Sequence, residues 1–310
     1  MFGAFIGDIV GSAYEFSNIH HKDFPLFTTD CDFTDDSIMT AAVAQALLLC
    51  REARFRGESK PLSEFMVEQM QLYGHRFPNP TGAYGGRFAQ WLRSEPPQPY
   101  YSCGNGSAMR VSPCGIIAVT VQEARILARI SAAVTHNHPE GIKGAEAVAA
   151  AVYLAKTYSK KDHIRQYIQE NFYPLTEDLD TIRATNRFDE TCQGTVPQAI
   201  TAFLESESFE DAIRNAISIG GDSDTIGAIT GSIAWAFYRA QIPAHLPRTL
   251  PEDMRLAKEA ATQFLPADFV ELDNALHEVA VLRFMTISCT ESCKPIATDA
   301  EWELHLAQIQ

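Results

Sequence analysis

Long apolar runs are missing from this chain. Across 310 residues none approaches the ~18 needed to cross a bilayer, so no membrane association is expected. The first stretch, Met1 to Gly11, carries Asp8 and no basic residues, and is not expected to act as a secretory leader. Cys-x-x-Cys pairs are also missing. The seven cysteines, at 31, 50, 103, 114, 192, 289 and 293, are odd in number and scattered. That pattern fits reduced thiols in the cytoplasm better than a disulfide framework. Cys289 and Cys293 lie four apart, but no second pair completes a zinc site. Basic residues are few: 25 Lys and Arg against 39 Asp and Glu leave a net charge of −14. Nonspecific nucleic-acid binding needs clustered Lys and Arg and is therefore not expected. A small anionic ligand is still admissible, provided that something local reverses the field.

With 46% apolar and 21% charged residues the chain is no disordered tail, and a protein of this length buries ~75% of its unfolded surface. Helical periodicity dominates. The run from Ser37 to Arg51 is rich in Ala and Leu and contains neither Gly nor Pro. Between Ser63 and Arg76, Phe65, Met66, Met70 and Tyr73 share one face. Further helices are predicted over Gln122–Thr135, Glu140–Tyr158, Asp162–Asn171, Val196–Glu205, Phe209–Ile219, Thr225–Ala240 and Pro251–Phe264. Phe269–Phe284 is ambiguous, and Cys289–Gln310 is the least readable stretch. The Pro/Gly clusters at Pro78–Gly86, Pro96–Gly106 and Ile242–Pro251 are too short for interdomain linkers, and no repeat is seen. The expectation is an all-α, monomeric protein with one domain over 1–310, its motifs within 2–240 and a helical extension over 241–310.

Chemistry concentrates in three acidic stretches. Thr34-Asp35-Asp36 opens the Ser37 helix. Thr and Asp suit a helix N-cap, yet three adjacent hard oxygen donors equally suit a cation. The second stretch is Gly220-Gly221-Asp222-Ser223-Asp224-Thr225, again at the mouth of a helix. It is not an EF-hand, because loop positions 5 and 12 counted from Asp222 fall on Ile226 and Ile233. The third is an apolar first helix carrying Asp8 and Glu15, seven apart and so about on one face. Gly7 and Gly11 there, and Gly227 and Gly231 in the later helix, mark close helix contacts. A carboxylate facing inward needs a partner, and a Glu beside two metals would serve as general base or electrostatic stabiliser. Hard oxygens without a His/Cys set point to magnesium or manganese rather than zinc.

Two glycine-rich loops could read a ligand. Ser102-Cys103-Gly104-Asn105-Gly106-Ser107, followed by Arg110, offers backbone N–H groups to an anion, or is an ordinary turn. It matches neither a Walker A loop nor a dinucleotide fingerprint. Pro80-Thr81-Gly82-Ala83-Tyr84-Gly85-Gly86 is the second loop, where Tyr84 and Gly85 could meet a nucleobase or simply pack. His136-Asn137-His138 lacks a third nitrogen or sulfur ligand, so His136 reads as a substrate contact or a buried core histidine.

Taken in order, GDIVGSAYE, TDDSIMT, GNGSAMR, THNHPEG and GGDSDTIGAITGSIAWA resemble the motifs of the ADP-ribosylglycohydrolases, from Phe2 to about Ala240. The resemblance implies an orthogonal helical bundle with two Mg2+ (Mn2+ as substitute) at the bottom of a cleft. It assigns Thr34, Asp35 and Asp36 to one metal, Asp222 and Thr225 to the other, and Asp224 to the bridge. Glu15 is implied in glycosidic cleavage, Ser102, Gly104, Asn105 and Gly106 in holding the distal ribose and diphosphate, and His136 in a ribose-side contact. Cys103 departs from relatives that carry an aromatic residue just before the GNG, and Tyr100 or Tyr101 are the residues at hand to compensate. The implied reaction is hydrolysis at C1″ of the distal ribose, releasing ADP-ribose from a modified protein or smaller conjugate. Two other readings stay open: an inactive ADP-ribose-binding relative, and another dimetal hydrolase such as a phosphoesterase.

Overall fold

Each helix begins where the local chemistry supplies a start. The computed structural model describes residues 1–157, 159–242 and 249–285. Within them run α1 (Phe2–Ser12), α2 (Asp35–Phe55), α3 (Leu62–Arg76), α4 (Gly86–Leu92), α5 (Ser112–Ile117), α6 (Val121–Ala133) and α7 (Pro139–Lys156). They continue as α8 (Lys161–Asn171), α9 (Leu179–Thr185), α10 (Cys192–Leu204), α11 (Phe209–Ser218), α12 (Ser223–Ala240), α13 (Glu252–Ala261) and α14 (Ala267–Met285). The side chains of Thr34, Thr120, Asp178, Thr191 and Ser208 accept a backbone N–H at the starts of α2, α6, α9, α10 and α11, satisfying donors that a helix start leaves free. No strand occurs among the described residues, whose only β-type pairings are the isolated bridges Thr34–Thr81 and Gly104–Thr191. None of the described helices is long and apolar enough to cross a membrane.

The all-α expectation holds, with differences in detail. α10 starts at Cys192 rather than Val196, because Thr191 supplies the cap and Pro197 is accommodated inside the helix. The ambiguous stretch from Phe269 resolves as part of α14. The first helix ends at Ser12, so Glu15 lies beyond it rather than two turns along its face. Outside the described residues lie position 158, positions 243–248 of the Ile242–Pro251 loop, and the tail from position 286 with Cys289 and Cys293. Cys31, Cys103, Cys114 and Cys192 are free thiols.

α1 and α12 form the centre. Phe2 to Gly11 are all buried, as are Ser223 to Trp235. The two helices run antiparallel with backbones touching: a Cβ on Gly3 would strike Gly231, on Gly7 Gly227, and on Gly11 the Ser223–Asp224 backbone. The glycines foreseen as contact points thus meet each other. Around this pair α10, α11 and α7 pack on α12, while α2 and α13 pack on α1. α14 lies on α2 and α5, and its Asp273 Oδ1 accepts from the amino group of Met1 (2.8 Å) and the amide of Phe2 (3.1 Å).

Because a methyl group at position 7 has no room against backbone, Gly7→Ala should lower stability by at least about 2 kcal/mol in chemical denaturation. Gly86→Ala, where a Cβ meets nothing within 4 Å, should stay within about 0.5 kcal/mol of the parent.

Candidate functional site

Three elements bring carboxylates to one place. α1 contributes Asp8, 0% exposed despite its charge. α2 contributes Asp35 and Asp36 in its first turn, after Thr34 as N-cap. α12 contributes Asp224, with Asp222 immediately before its first residue. Gly220 and Gly221 take left-handed φ values of 69° and 82°, a turn that a side chain would strain. Oxygens of Asp8, Asp36 and Asp224 lie within 4.8 Å of one another, and so do those of Glu15, Asp222 and Asp224. Asp224 belongs to both groups.

Little neutralises this charge. Thr225 Oγ1 donates to Asp36 Oδ2 (3.2 Å), and Asn105 Nδ2 donates to Asp222 Oδ2 (2.6 Å) and Thr195 Oγ1 (3.0 Å). Asp36 Oδ1 is buried without a hydrogen-bond partner. Burial, then repulsion from Asp224, holds the carboxyls of Asp35, Asp36 and Asp222 well above the usual range. The same causes push Asp8 to about 7 and, with Asp8 and Glu190 adding to the repulsion, Glu15 to about 8. An orphaned buried carboxylate oxygen beside a shared Asp, in an all-oxygen set, is what a pair of hard divalent cations would satisfy. The residues present fit such cations.

The site residues expected from sequence are placed as follows. Thr34, Asp36, Asp222, Asp224 and Thr225 are buried in the cluster, while Asp35 is half-buried and outside both three-carboxylate groups. Glu15 reaches Asp222 and Asp224 from the turn after α1, with the Gly82 loop close against its Oε2. In the Gly-rich loop Gly104 N–H donates to Ser102 Oγ (3.1 Å), Asn105 N–H to the Glu190 carbonyl (2.7 Å), and Ser107 Oγ to the Gly141 carbonyl (2.7 Å). His136 stands against this loop: a Cβ on Gly106 would lie 3.3 Å from its Nε2, and on Gly104 3.5 Å. Burial, followed by the charges of Arg110 and Arg87, drives its pKa well down and leaves the ring neutral. Tyr84 donates to the Phe77 carbonyl (2.9 Å) and packs edge-on against Phe88, while Gly85 is exposed at the start of α4. Arg110 is committed elsewhere. It is 1% exposed and donates to the Ser131 carbonyl and Thr135 Oγ1. His138 caps α7 by accepting from the Glu140 amide. Tyr100 meets His136 edge-on at 5.3 Å, and Tyr101 is exposed beside His138.

Three contributors escaped the sequence reading. Asp8 was visible as a lone acid in an apolar helix but was not assigned to the site. Asn18 exchanges hydrogen bonds with Gly221 (2.8 and 2.9 Å), and Asn186 donates to the Gly220 carbonyl (3.0 Å). Together they hold the turn before Asp222, and nothing in their sequence context signals it.

The raised carboxyls set a pH dependence. A folded-state pKa above the unfolded ~4 means that the native protein holds extra protons between the two values. Stability present below about pH 4 is therefore lost as pH rises toward about 8 in the metal-free protein. Thermal melts in chelator should show the midpoint falling across that range, and added Mg2+ should restore more stability at about pH 8 than at about pH 5.

Comparison with known proteins identifies the family of the chain. The ADP-ribosylglycohydrolase family profile matches residues 1–276. ADP-ribosylhydrolase ARH3 of Mus musculus is 26% identical over 323 residues, covering 78% of this chain and 83% of the mouse protein. The Homo sapiens ARH3 is 26% identical over 317 residues, covering 76% of this chain and 83% of the human one. ADP-ribosylarginine hydrolase Tri1 of Pseudomonas putida is 23% identical over 260 residues, with coverage of 77% and 69%. A solved ADP-ribosylglycohydrolase-related protein complex shares the fold at a TM-score of 0.54 and 24% identity, covering 85% of this chain and 96% of that one. With the family profile spanning nearly all of the described chain, this protein belongs to the ADP-ribosylglycohydrolase family and is a glycosyl-bond hydrolase.

Proposed function

We propose that the protein hydrolyses the bond between C1″ of the distal ribose and an acceptor, releasing intact ADP-ribose, with Mg2+ as resident cation and Mn2+ as substitute. The observation that carries this reading is Asp224, shared by two all-oxygen groups of which one includes Glu15. In this reading Thr34, Asp35 and Asp36 would hold one cation, Asp222 and Thr225 the other, and Asp224 would be shared between them. Bound cations would neutralise the carboxylates and orient the ribose hydroxyls. Glu15, ionised in that setting, either stabilises the oxocarbenium-like charge as the C1″–acceptor bond breaks or activates the water whose oxygen bonds to C1″, in which case it takes the water's proton and passes it to the departing acceptor. The loop from Ser102 to Ser107 offers its glycine backbone to the ribose and diphosphate, backed by neutral His136, while Tyr84 and Gly85 border the entrance. Asn105 serves from within, because its side chain is committed to Asp222 and Thr195. The acceptor is a protein side chain or a smaller conjugate.

A product assay against arginine-, serine-, DNA-end- and O-acetyl-linked ADP-ribose tests this. Intact ADP-ribose should appear from at least one linkage, and chelation should stop its release. Asp222→Asn and Asp35→Asn should abolish turnover, and Glu15→Gln should slow it by about 10²–10⁴. Turnover that survives thorough chelation would count against the reading. Release of AMP or phosphate would identify a phosphoesterase, and tight ADP-ribose binding without cleavage of any linkage would identify an inactive relative.

A further inference from the structure

Asp8 has no part in the roles above, yet it is a fully buried acid in a helix whose other residues from Phe2 to Gly11 are apolar or glycine. Its carboxylate is committed to the start of α2. Oδ2 accepts the amides of Thr34 (3.0 Å) and Ser37 (3.1 Å), and Oδ1 accepts the hydroxyl of Thr34 (2.7 Å). A hydroxyl has one proton to give. With that proton held by Asp8, Thr34 Oγ1 is an acceptor toward everything else, including the Asp36 amide (3.3 Å). A threonine that is to donate a lone pair to a cation must be held in this state.

Asp8 is also fixed with respect to α12. The neighbouring Gly7 and Gly11 lie backbone against backbone on Gly227 and on Ser223–Asp224, so α1 cannot slide without α12. One carboxylate therefore spans the two halves of the cluster: it grips the Thr34–Ser37 turn while seated on the helix that locks Asp224 in place.

We propose that Asp8 is the positioning residue of the centre, setting the proton orientation of Thr34 and the separation of Asp36 from Asp224. This rests on the reading that these residues hold cations. An oxygen of Asp8 lies within 4.8 Å of oxygens of Asp36 and Asp224, but its carboxylate already accepts three hydrogen bonds from α2 and the turn before it, and it is through Thr34 that Asp8 acts.

The test is Mn2+ titration of the metal-free full-length protein by calorimetry, with far-UV circular dichroism to verify folding. Asp8→Asn should weaken Mn2+ binding about 10- to 100-fold. Thr34→Val cuts the same bond from its other end, and the double variant should be no weaker than the worse single one. At saturating Mn2+, Asp8→Asn should recover most of the parent turnover, so that the loss lies in cation affinity. Parental affinity in Asp8→Asn overturns the proposal, as do losses that multiply in the double variant, which would make Asp8 an independent ligand. Should Asp8→Asn not fold, the smaller Asp8→Ser takes its place: Mn2+ affinity at least about tenfold below the parent supports the role, and parental affinity overturns it. A parent protein that binds no Mn2+ would instead sink the reading of the centre, and this proposal with it.

Discussion

Where α1 crosses α12 no side chain stands between the two backbones. Gly3, Gly7 and Gly11 lie on Gly231, Gly227 and the Ser223–Asp224 segment, one turn after another. Helices normally pack with axes about 8–10 Å apart, and a glycine on at least one side of each of these contacts lets the backbones come closer than side chains allow. The rest of the centre depends on that contact. It places Asp8 beside Asp224, and Asp8 in turn holds the first turn of α2. Replace the seam with ordinary side chains and the three acidic stretches would belong to different parts of the molecule.

The field at this point has two sources of opposite sign. α2 and α12 both begin here, so the partial positive charge of two helix N-termini faces the carboxylates. Hydroxyls of Thr34 and Thr225 and the amide of Asn105 add donors. These dipoles fall short of the charge gathered there, as the raised pKa values of Asp8, Glu15, Asp35, Asp36 and Asp222 record. The net charge of −14 thus says little about the ligand, because the part that matters is local and calls for cations.

Much of this was readable in advance where chemistry is local. Thr34-Asp35-Asp36 and Asp222-Ser223-Asp224 announce helix starts and hard donors in the same few letters, and the glycine pairs announce close contacts. Partnership is another matter. Nothing in Asp8 tells which helix start it will face, and Asn18 and Asn186 act on Gly220–Gly221 across long stretches of chain. Helices of six or seven residues, α4, α5 and α9, hold too little periodicity to be seen. The seven-residue spacing from Asp8 predicts Glu15 on α1, but α1 ends at Ser12 and the chain turns. Asn105 illustrates the same gap: the loop was legible, and the direction of its amide toward Asp222 was not.

The α1–α12 seam also dictates when the centre can exist. Gly7 and Gly227 are about 220 residues apart in the chain, so the contact between them is strongly non-local. During synthesis the first helix, apolar on every side and carrying one acid, emerges long before its partner. Until α12 has left the ribosome, α1 has no glycine face to lie on and Asp8 has no Asp224 beside it. The centre is thus among the last things to assemble, and a chain cut short before α12 keeps many of its helices but has no place to carry out chemistry.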